Sequence, residues 1–282
     1  MARFRKELET ACRLAREAGR LLMKFYGAAG RVVEKEGGSP QSEADRAVNA
    51  YIVEALRAAF PRDGLLAEES PDTMRPDPES VRVWMVDPLD GTREFLEGVG
   101  QFVVQIGLVY RGRPVLGVVY QPVTEKLYYG LVGEGAYLER GARVERLRVS
   151  ARQEVSAFRA VVSRSHASPL TARLLEVLGV RQVVPTGSVG LKVAALVEGE
   201  AELYVHPSGH TNLWDTAAPE ALLVAAGGLM TDCFGRPLDY RGRDVENRYG
   251  LLASNGTVHG EIVARIAPLI EGVLGPTRAA GQ

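Results

Sequence analysis

The amino-acid sequence predicts a mixed α/β (α+β) protein in two halves, and three observations carry that expectation. Apolar residues recur every three to four positions near the start, which marks amphipathic helices. Short runs rich in Val, Ile and Tyr, separated by Gly and Pro, follow Arg82 and mark strands. Strand-like and helix-like segments then alternate from about Ser150, the pattern of α/β folds. At 282 residues the chain exceeds one typical compact core. Two units are therefore expected, residues 1–149 and residues 150–282. No long linker, repeat or low-complexity tract separates them, so the boundary near Val149 reads as a packed junction.

In the first half, Leu8, Cys12, Ala15, Ala18, Leu22 and Phe25 form one apolar stripe of a helix from about Arg5 to Tyr26. Gly27–Gly30 stops it. Arg31–Lys35 reads as a short strand and Glu36–Pro40 as a loop. A second helix starts at Ser42, with Ala44, Val48, Tyr51, Ile52, Ala55 and Leu56 on its buried stripe. Val83–Val86, Phe102–Tyr110, Val115–Tyr120 and Leu127–Tyr129 read as neighbouring strands of an antiparallel sheet. In the second half, Ala160–Ser163, Val183-Val184 and Glu202–Val205 read as strands. Pro169–Leu178, Val189–Val197 and Asp215–Ala226 read as helices.

Composition narrows the function classes. Hydrophobic residues make up 46% and charged residues 24%, as in ordinary soluble globular chains. The net charge of −1, with scattered basic residues, gives no reason to expect a nucleic-acid polymer or an acidic membrane as partner. Cys12 and Cys233 lie far apart, which argues against a disulfide framework and for a reduced, cytoplasmic compartment. The first residues mix charge with apolar groups and contain no signal-peptide or bilayer-spanning run.

The chemistry is carried by acids. Trp84-Met85-Val86 leads into Asp87-Pro88-Leu89-Asp90-Gly91-Thr92, an apolar strand ending in two aspartates. Pro88 fixes its own φ and extends the residue before it, so the chain can turn both carboxylates to one point. Gly91 and Thr92 then offer N–H groups and a hydroxyl to an anion. Hard divalent cations take such oxygen ligands. Glu68-Glu69 adds a second acidic pair, and Asp215 a third site. Each acid also has a plainer reading. Asp-Pro and Asp-Gly make turns, adjacent glutamates face solvent, and Asp215 is a favoured helix N-cap with Pro219 in the first turn. Ser42-Glu43-Ala44-Asp45 has the spacing of a capping box. Together, the acids fall at strand ends and helix starts, where side chains converge.

Glu68-Glu69, Asp87-Pro88-Leu89-Asp90-Gly91-Thr92 and Trp214-Asp215, in that order over most of the chain, resemble the motifs of the inositol monophosphatase superfamily of lithium-sensitive, magnesium-dependent phosphatases. The resemblance implies a layered αβαβα sandwich of the inositol monophosphatase and fructose-1,6-bisphosphatase type. It implies Mg²⁺ as cofactor, two or three ions per site, with Mn²⁺ as a substitute. By this resemblance Glu68, Asp87 and the carbonyl of Leu89 hold one ion, and Asp87, Asp90 and Asp215 a second. Gly91 and Thr92 cradle the phosphate. Asp45 and Thr92 orient and deprotonate the attacking water, with Glu69 supporting it or a weaker third ion. Lys35–Ser42 corresponds to the mobile loop over the metals, and Ser42 stands where Thr is usual, keeping the hydroxyl.

A dianionic phosphate monoester repels a nucleophile, and metal ions would cancel that repulsion and activate a water. No Cys-x5-Arg arrangement is present, and the four histidines lie at 166, 206, 210 and 259, so direct attack by water is the economical route. A kinase reading fails for want of a Gly-x4-Gly-Lys-Ser/Thr loop. A non-enzymatic Mg²⁺- or phosphate-binding regulator would not need Asp45 beside Asp90 and Thr92.

Among substrates, 3′-phosphoadenosine 5′-phosphate is expected ahead of inositol 1-phosphate and then a fructose bisphosphate. The nine residues from Asp87 to Phe95 are closer to the DPLDGTKEF form of 3′(2′),5′-bisphosphate nucleotidases than to the DPIDGTTNF form of inositol phosphatases. Ser163-Arg164-Ser165-His166 and Thr211–Ala218 also resemble nucleotidase segments. By that resemblance Ser165, His166, Ser188 and Lys192 contact substrate, Lys192 near the second phosphate with charge added by Arg164. Gly187-Ser188-Val189-Gly190 is nearer the inositol phosphatase pattern. A homodimer is the assembly to test, and the expected partner is otherwise a small phosphorylated metabolite.

Overall fold

The computed structural model describes residues 4–27, 32–34, 40–70, 80–165, 168–241 and 244–274. The loop residues 35–39 and the expected substrate contact His166 lie outside them. Two helices open the chain, α1 (Arg5–Phe25) and α2 (Glu43–Ala59). Between them the short strands β1 (Val32–Glu34) and β2 (Pro40–Ser42) pair antiparallel, so Pro40 belongs to a strand and not to the expected loop.

A seven-stranded sheet follows, in the order β3 (Gly64–Ala67), β4 (Arg82–Asp90), β5 (Val103–Tyr110), β6 (Arg113–Gln121), β7 (Lys126–Leu131), β8 (Gly135–Arg140), β9 (Arg143–Leu147). All neighbours are antiparallel except β3 and β4, which run parallel. The four strands expected from sequence, β4 to β7, pair antiparallel as expected, and the parallel strand β3 is an addition to them. Parallel neighbours need a long return connection, and residues 68–81 supply it. β9 is exposed except at Leu147 and carries Arg143, Glu145 and Arg146, the charged dressing of a sheet edge. The one-turn helix α3 (Thr92–Leu96) leaves β4 directly.

The second sheet has the order β11 (Gln182–Thr186), β10 (Arg159–Ser163), β12 (Leu203–His206), β14 (Leu251–Ser254), β13 (Leu229–Thr231). β10 runs parallel to β11 and β12, and β14 antiparallel to β12 and β13. The remaining helices are α4 (Pro169–Leu178), α5 (Val189–Val197), α6 (Leu213–Ala225) and α7 (His259–Leu274).

Side-chain alternation along the strands sorts these elements into layers. On one face of the large sheet, Trp84, Val86, Ile106 and Val118 pack with Leu14, Leu22, Val48 and Ile52 of α1 and α2. On its other face, Met85, Val103 and Val119 meet Val193, Leu196, Ala217 and Leu222 of α5 and α6, and this cluster continues to Val161 and Tyr204 of the second sheet. Ala160, Leu203 and Leu252 turn the opposite way, onto Leu174, Leu178, Ile262, Ile266 and Ile270 of α4 and α7. The stack is the expected αβαβα sandwich.

A row of glycines seats α6. Gly107, Gly117 and Gly130 lie in register across β5, β6 and β7. A Cβ on Gly117 would sit 2.1 Å from the carbonyl oxygen of Ala218, and one on Gly107 2.8 Å from the Ala218 nitrogen. The helix thus lies on bare sheet backbone. It begins at Leu213 with Asn212 as N-cap, two residues before the expected start, and Pro219 lies inside it, not in the first turn. The earlier cap wins because the Asn212 N–H donates to Asp215 Oδ2 at 2.6 Å, which makes Asp215 the third helical residue.

Candidate active site

The centre of the site is the end of β4. Its pairing with β5 shifts register between Asp87 and Asp90, as a strand must where Pro88 cannot donate. The Leu89 N–H turns back to donate to Asp87 Oδ1 at 2.9 Å. Gly91 follows with φ of 99°, and a Cβ there would lie 2.8 Å from the Gln101 carbonyl oxygen. This left-handed turn is open to glycine at little cost, and it starts α3 at Thr92.

α2 delivers Asp45 to the same place. The Ser42 N–H and hydroxyl donate to Asp45 Oδ2 at 2.7 and 2.5 Å, and the Asp45 N–H donates to Ser42 Oγ at 3.3 Å. The capping box is therefore real. Asp45 Oδ1 remains for Thr92, whose hydroxyl lies 3.3 Å from it and 3.1 Å from the Leu89 carbonyl oxygen. One hydroxyl proton serves one of these acceptors at a time.

Glu68 continues β3 beside β4, its N–H donating to the Val86 carbonyl at 3.1 Å. The acids feel one another. Burial raises Asp87 well above the usual carboxylate range, and Glu68, Asp90 and Asp215 push it further. Burial raises Asp215 to about 8, with Asp90 and Glu68 adding to it, and Asp87 lies within hydrogen-bonding reach. Buried carboxyl groups that face each other require a shared proton or a cation between them. Among the described residues, no three His, Cys, Asp or Glu side chains are grouped to hold an ion as they stand. Asp90 Oδ2 and Asp215 Oδ2 are committed to protein donors. The donor set, with the Leu89 carbonyl beside it, nonetheless fits a hard divalent cation. Glu69 lies half-buried next to Glu68.

The second half closes the site from α5. Asp90 Oδ2 accepts from Gln105 Nε2 at 2.6 Å, Ser188 Oγ at 2.6 Å and the Gly190 N–H at 2.8 Å. Ser188 thus turns onto Asp90. Lys192, one turn along α5, is buried, its Nζ 3.4 Å from the Thr186 carbonyl and 5.2 Å from the centre of the Tyr204 ring. Burial pushes it down to about 8, opposed by Asp90, Glu94 and Asp215. Ser165 donates to Glu94 Oε1, and Arg164 pairs with Glu94 at 3.3 Å and with Glu97. The structure so brings Asp45, Asp87, Leu89, Asp90, Thr92 and Asp215 together with Ser188 and Lys192. It places Ser165 and Arg164 on the rim, held by acids. Sequence reasoning passed over Glu94 and Gln105. Gln105 had one signal, a polar residue inside the apolar run Val103-Val104-Gln105-Ile106.

Comparison with known proteins shows the family to which the chain belongs. The model of the Inositol monophosphatase family matches residues 5–271. The chain belongs to that family, whose members are metal-dependent phosphoric monoester hydrolases, and is an enzyme of this class. Over 239 residues it is 40% identical to the 3′(2′),5′-bisphosphate nucleotidase CysQ of Salmonella typhimurium, covering 84% of this chain and 95% of that protein. The CysQ of Escherichia coli K12 matches equally. Among solved structures, the IMPase of Thermotoga maritima superposes with a TM-score of 0.80 at 28% identity, over 95% of this chain and 99% of that one. CysQ from Bacteroides thetaiotaomicron gives 0.75 at 29% identity, over 90% and 98%.

Proposed function

We propose that this enzyme is a Mg²⁺-dependent 3′(2′),5′-bisphosphate nucleotidase that converts 3′-phosphoadenosine 5′-phosphate to AMP and phosphate. The observation that carries the substrate is the 40% identity, across 84% of the chain, to relatives named for that reaction. Mg²⁺, with Mn²⁺ as a substitute, would be held by Glu68, Asp87, the Leu89 carbonyl, Asp90 and Asp215. When bound it would supply positive charge against the phosphate and the departing oxygen.

The chain's own residues do the rest. Gly91 and Thr92, at the turn into α3, receive the phosphate oxygens. Asp45 Oδ1 takes the proton of Thr92 Oγ1, which leaves the hydroxyl oxygen to accept a proton from the attacking water. Asp45 is held for this by Ser42, which occupies its other oxygen. Glu69 supports the same water. Lys192 and Ser165, with His166, hold the leaving group, and Lys192 supplies the cation that a second phosphate needs. Residues 1–149 carry most of the ligands, and residues 150–282 carry Asp215 and the leaving-group contacts.

A second reading, inositol 1-phosphate as substrate, draws on the likeness to the Thermotoga IMPase and on Gly187-Ser188-Val189-Gly190. Phosphate release with Mg²⁺ decides between them: kcat/KM is expected to be higher for 3′-phosphoadenosine 5′-phosphate, and a higher value for inositol 1-phosphate refutes the nucleotidase reading. Among the described residues no helix is long and apolar enough to cross a membrane. A cytoplasmic enzyme and a homodimer complete the proposal, and gel filtration with light scattering tests the dimer.

A further inference from the structure

We propose that Gln105 is a positioning residue that fixes which oxygen of Asp90 meets the metal, an inference that rests on reading Asp90 as a metal ligand. Gln105 sits in β5, wholly buried, between Val104 and Ile106. Its Nε2 donates to Asp90 Oδ2 at 2.6 Å. Ser188 Oγ at 2.6 Å and the Gly190 N–H at 2.8 Å reach the same oxygen. Three donors saturate one carboxylate oxygen. Oδ1 is then the oxygen left for a cation. Its direction is set from two sides at once, by the neighbouring strand and by the first turn of α5.

The cost of the arrangement separates this role from packing. Gln105 Oε1 is buried and has no hydrogen-bond partner among the described residues. Turning the amide over would put that oxygen against Asp90 Oδ2, acceptor against acceptor. An unpaired buried acceptor is destabilising, and native proteins contain few. A residue selected for packing here would be apolar, like Val103, Val104 and Ile106. The amide is kept for its N–H.

The surroundings leave it little freedom. A Cβ on Gly190 would lie 2.9 Å from both Val103 Cγ2 and Val119 Cγ1, and 3.4 Å from Gln105 Cδ. The start of α5 is therefore pressed against the amide and holds it on Asp90. Residues that orient metal ligands in this way typically change metal affinity or activity by about 10- to 100-fold when removed.

The test measures metal binding without turnover. Gln105→Leu and Gln105→Met keep the volume and lose the donor. Mg²⁺ titration by calorimetry, and Mn²⁺ titration by electron paramagnetic resonance, are compared with wild type, alongside metal-free melting. The expected result is a Kd raised about 10- to 100-fold, with the metal-free melting temperature unchanged or higher because the unpaired oxygen is gone. A Kd within twofold of wild type in a folded variant overturns the proposal. So does failure of both variants to fold, which would make Gln105 structural. Absence of Mg²⁺ and Mn²⁺ binding by the wild-type enzyme is a separate outcome, and it would overturn the metal reading itself.

Discussion

Gly117→Ala tests how the large sheet places Asp215. The new Cβ would start 2.1 Å from the Ala218 carbonyl oxygen, 2.9 Å from its carbon and 3.1 Å from its Cα. Ordinary contact begins at 3.4 Å, so α6 must retreat by about 1.3 Å along that line. The obstructing atoms are backbone and have no rotamer to relax into. Overpacking of this kind costs about 1–3 kcal/mol, and the upper end applies here. At about 2–4 °C per kcal/mol for a chain of this order, the melting temperature should fall by roughly 6–12 °C. Asp215 lies one turn before Ala218 on the same helix and moves with it. A misplacement of about 1 Å at a reacting centre costs on the order of 100-fold in rate. The assay pairs thermal melting with phosphate release, using Gly272→Ala as control. Gly272 lies in α7 with open space where a Cβ would go, so alanine there should be neutral or stabilising. A Gly117→Ala enzyme with wild-type melting and rate would refute the seating argument.

Four further outcomes are expected. Asp90→Asn should lose Mg²⁺-dependent activity by at least about 100-fold, since one carbonyl oxygen cannot serve three donors and an ion; full activity in that variant, or in excess chelator, would remove the mechanism. Lys192→Met should raise KM for the bisphosphate about tenfold or more while changing the rate with p-nitrophenyl phosphate little, and equal losses on both substrates would contradict a second-phosphate role. Millimolar LiCl should inhibit relative to matched KCl, and equal rates would remove the lithium-sensitive assignment. Metal-free stability should fall as pH rises from about 5 to 8. Asp87, Asp90 and Asp215 are raised above the carboxylate range, Asp215 to about 8. The folded chain therefore holds their protons more tightly than the unfolded chain, and that contribution is lost through this window. Lys192 is depressed to about 8, so its destabilising share changes only above the window. Mg²⁺ at pH 8 should restore the melting temperature, and a metal-free protein that gains stability toward pH 8 would contradict the carboxylate cluster.

The sequence was most legible where local chemistry decides structure. α4 and α5 run over the residues expected, because Ser168 with Pro169 begins the first, Gly179 ends it, and Ser188 caps the second. Asp45 was legible twice, as a cap and as a candidate base; the structure shows the cap through one oxygen and sets the Thr92 hydroxyl beside the other. β9 escaped because its charged, exposed residues lack strand alternation. α7 escaped although Ile262, Ile266 and Ile270 recur every four residues, since Pro268 interrupts the pattern. The parallel pairing of β3 depends on a return connection and not on its four residues. Gln105 could not be linked to Asp90 in advance, because that contact exists only once β4 and β5 take their shifted register. The Ser188 contact spans 98 positions and exists only once α5 packs against the large sheet.

Asp45 and Asp215 each lend one oxygen to the first turn of the helix that carries them, α2 through Ser42 and α6 through Asn212. With the roles proposed for them, part of the enzyme's chemical equipment doubles as framework. Selection acts on these two positions through two channels, folding and turnover, and a change tolerated by one is caught by the other. Replacing either acid removes the acceptor of the Ser42 or Asn212 N–H, and so weakens the helix start together with the proposed chemistry. On that reading such positions should stand still over generations, and variation in the leaving group accepted should fall on the rim around Arg164 and Ser165, which starts no helix.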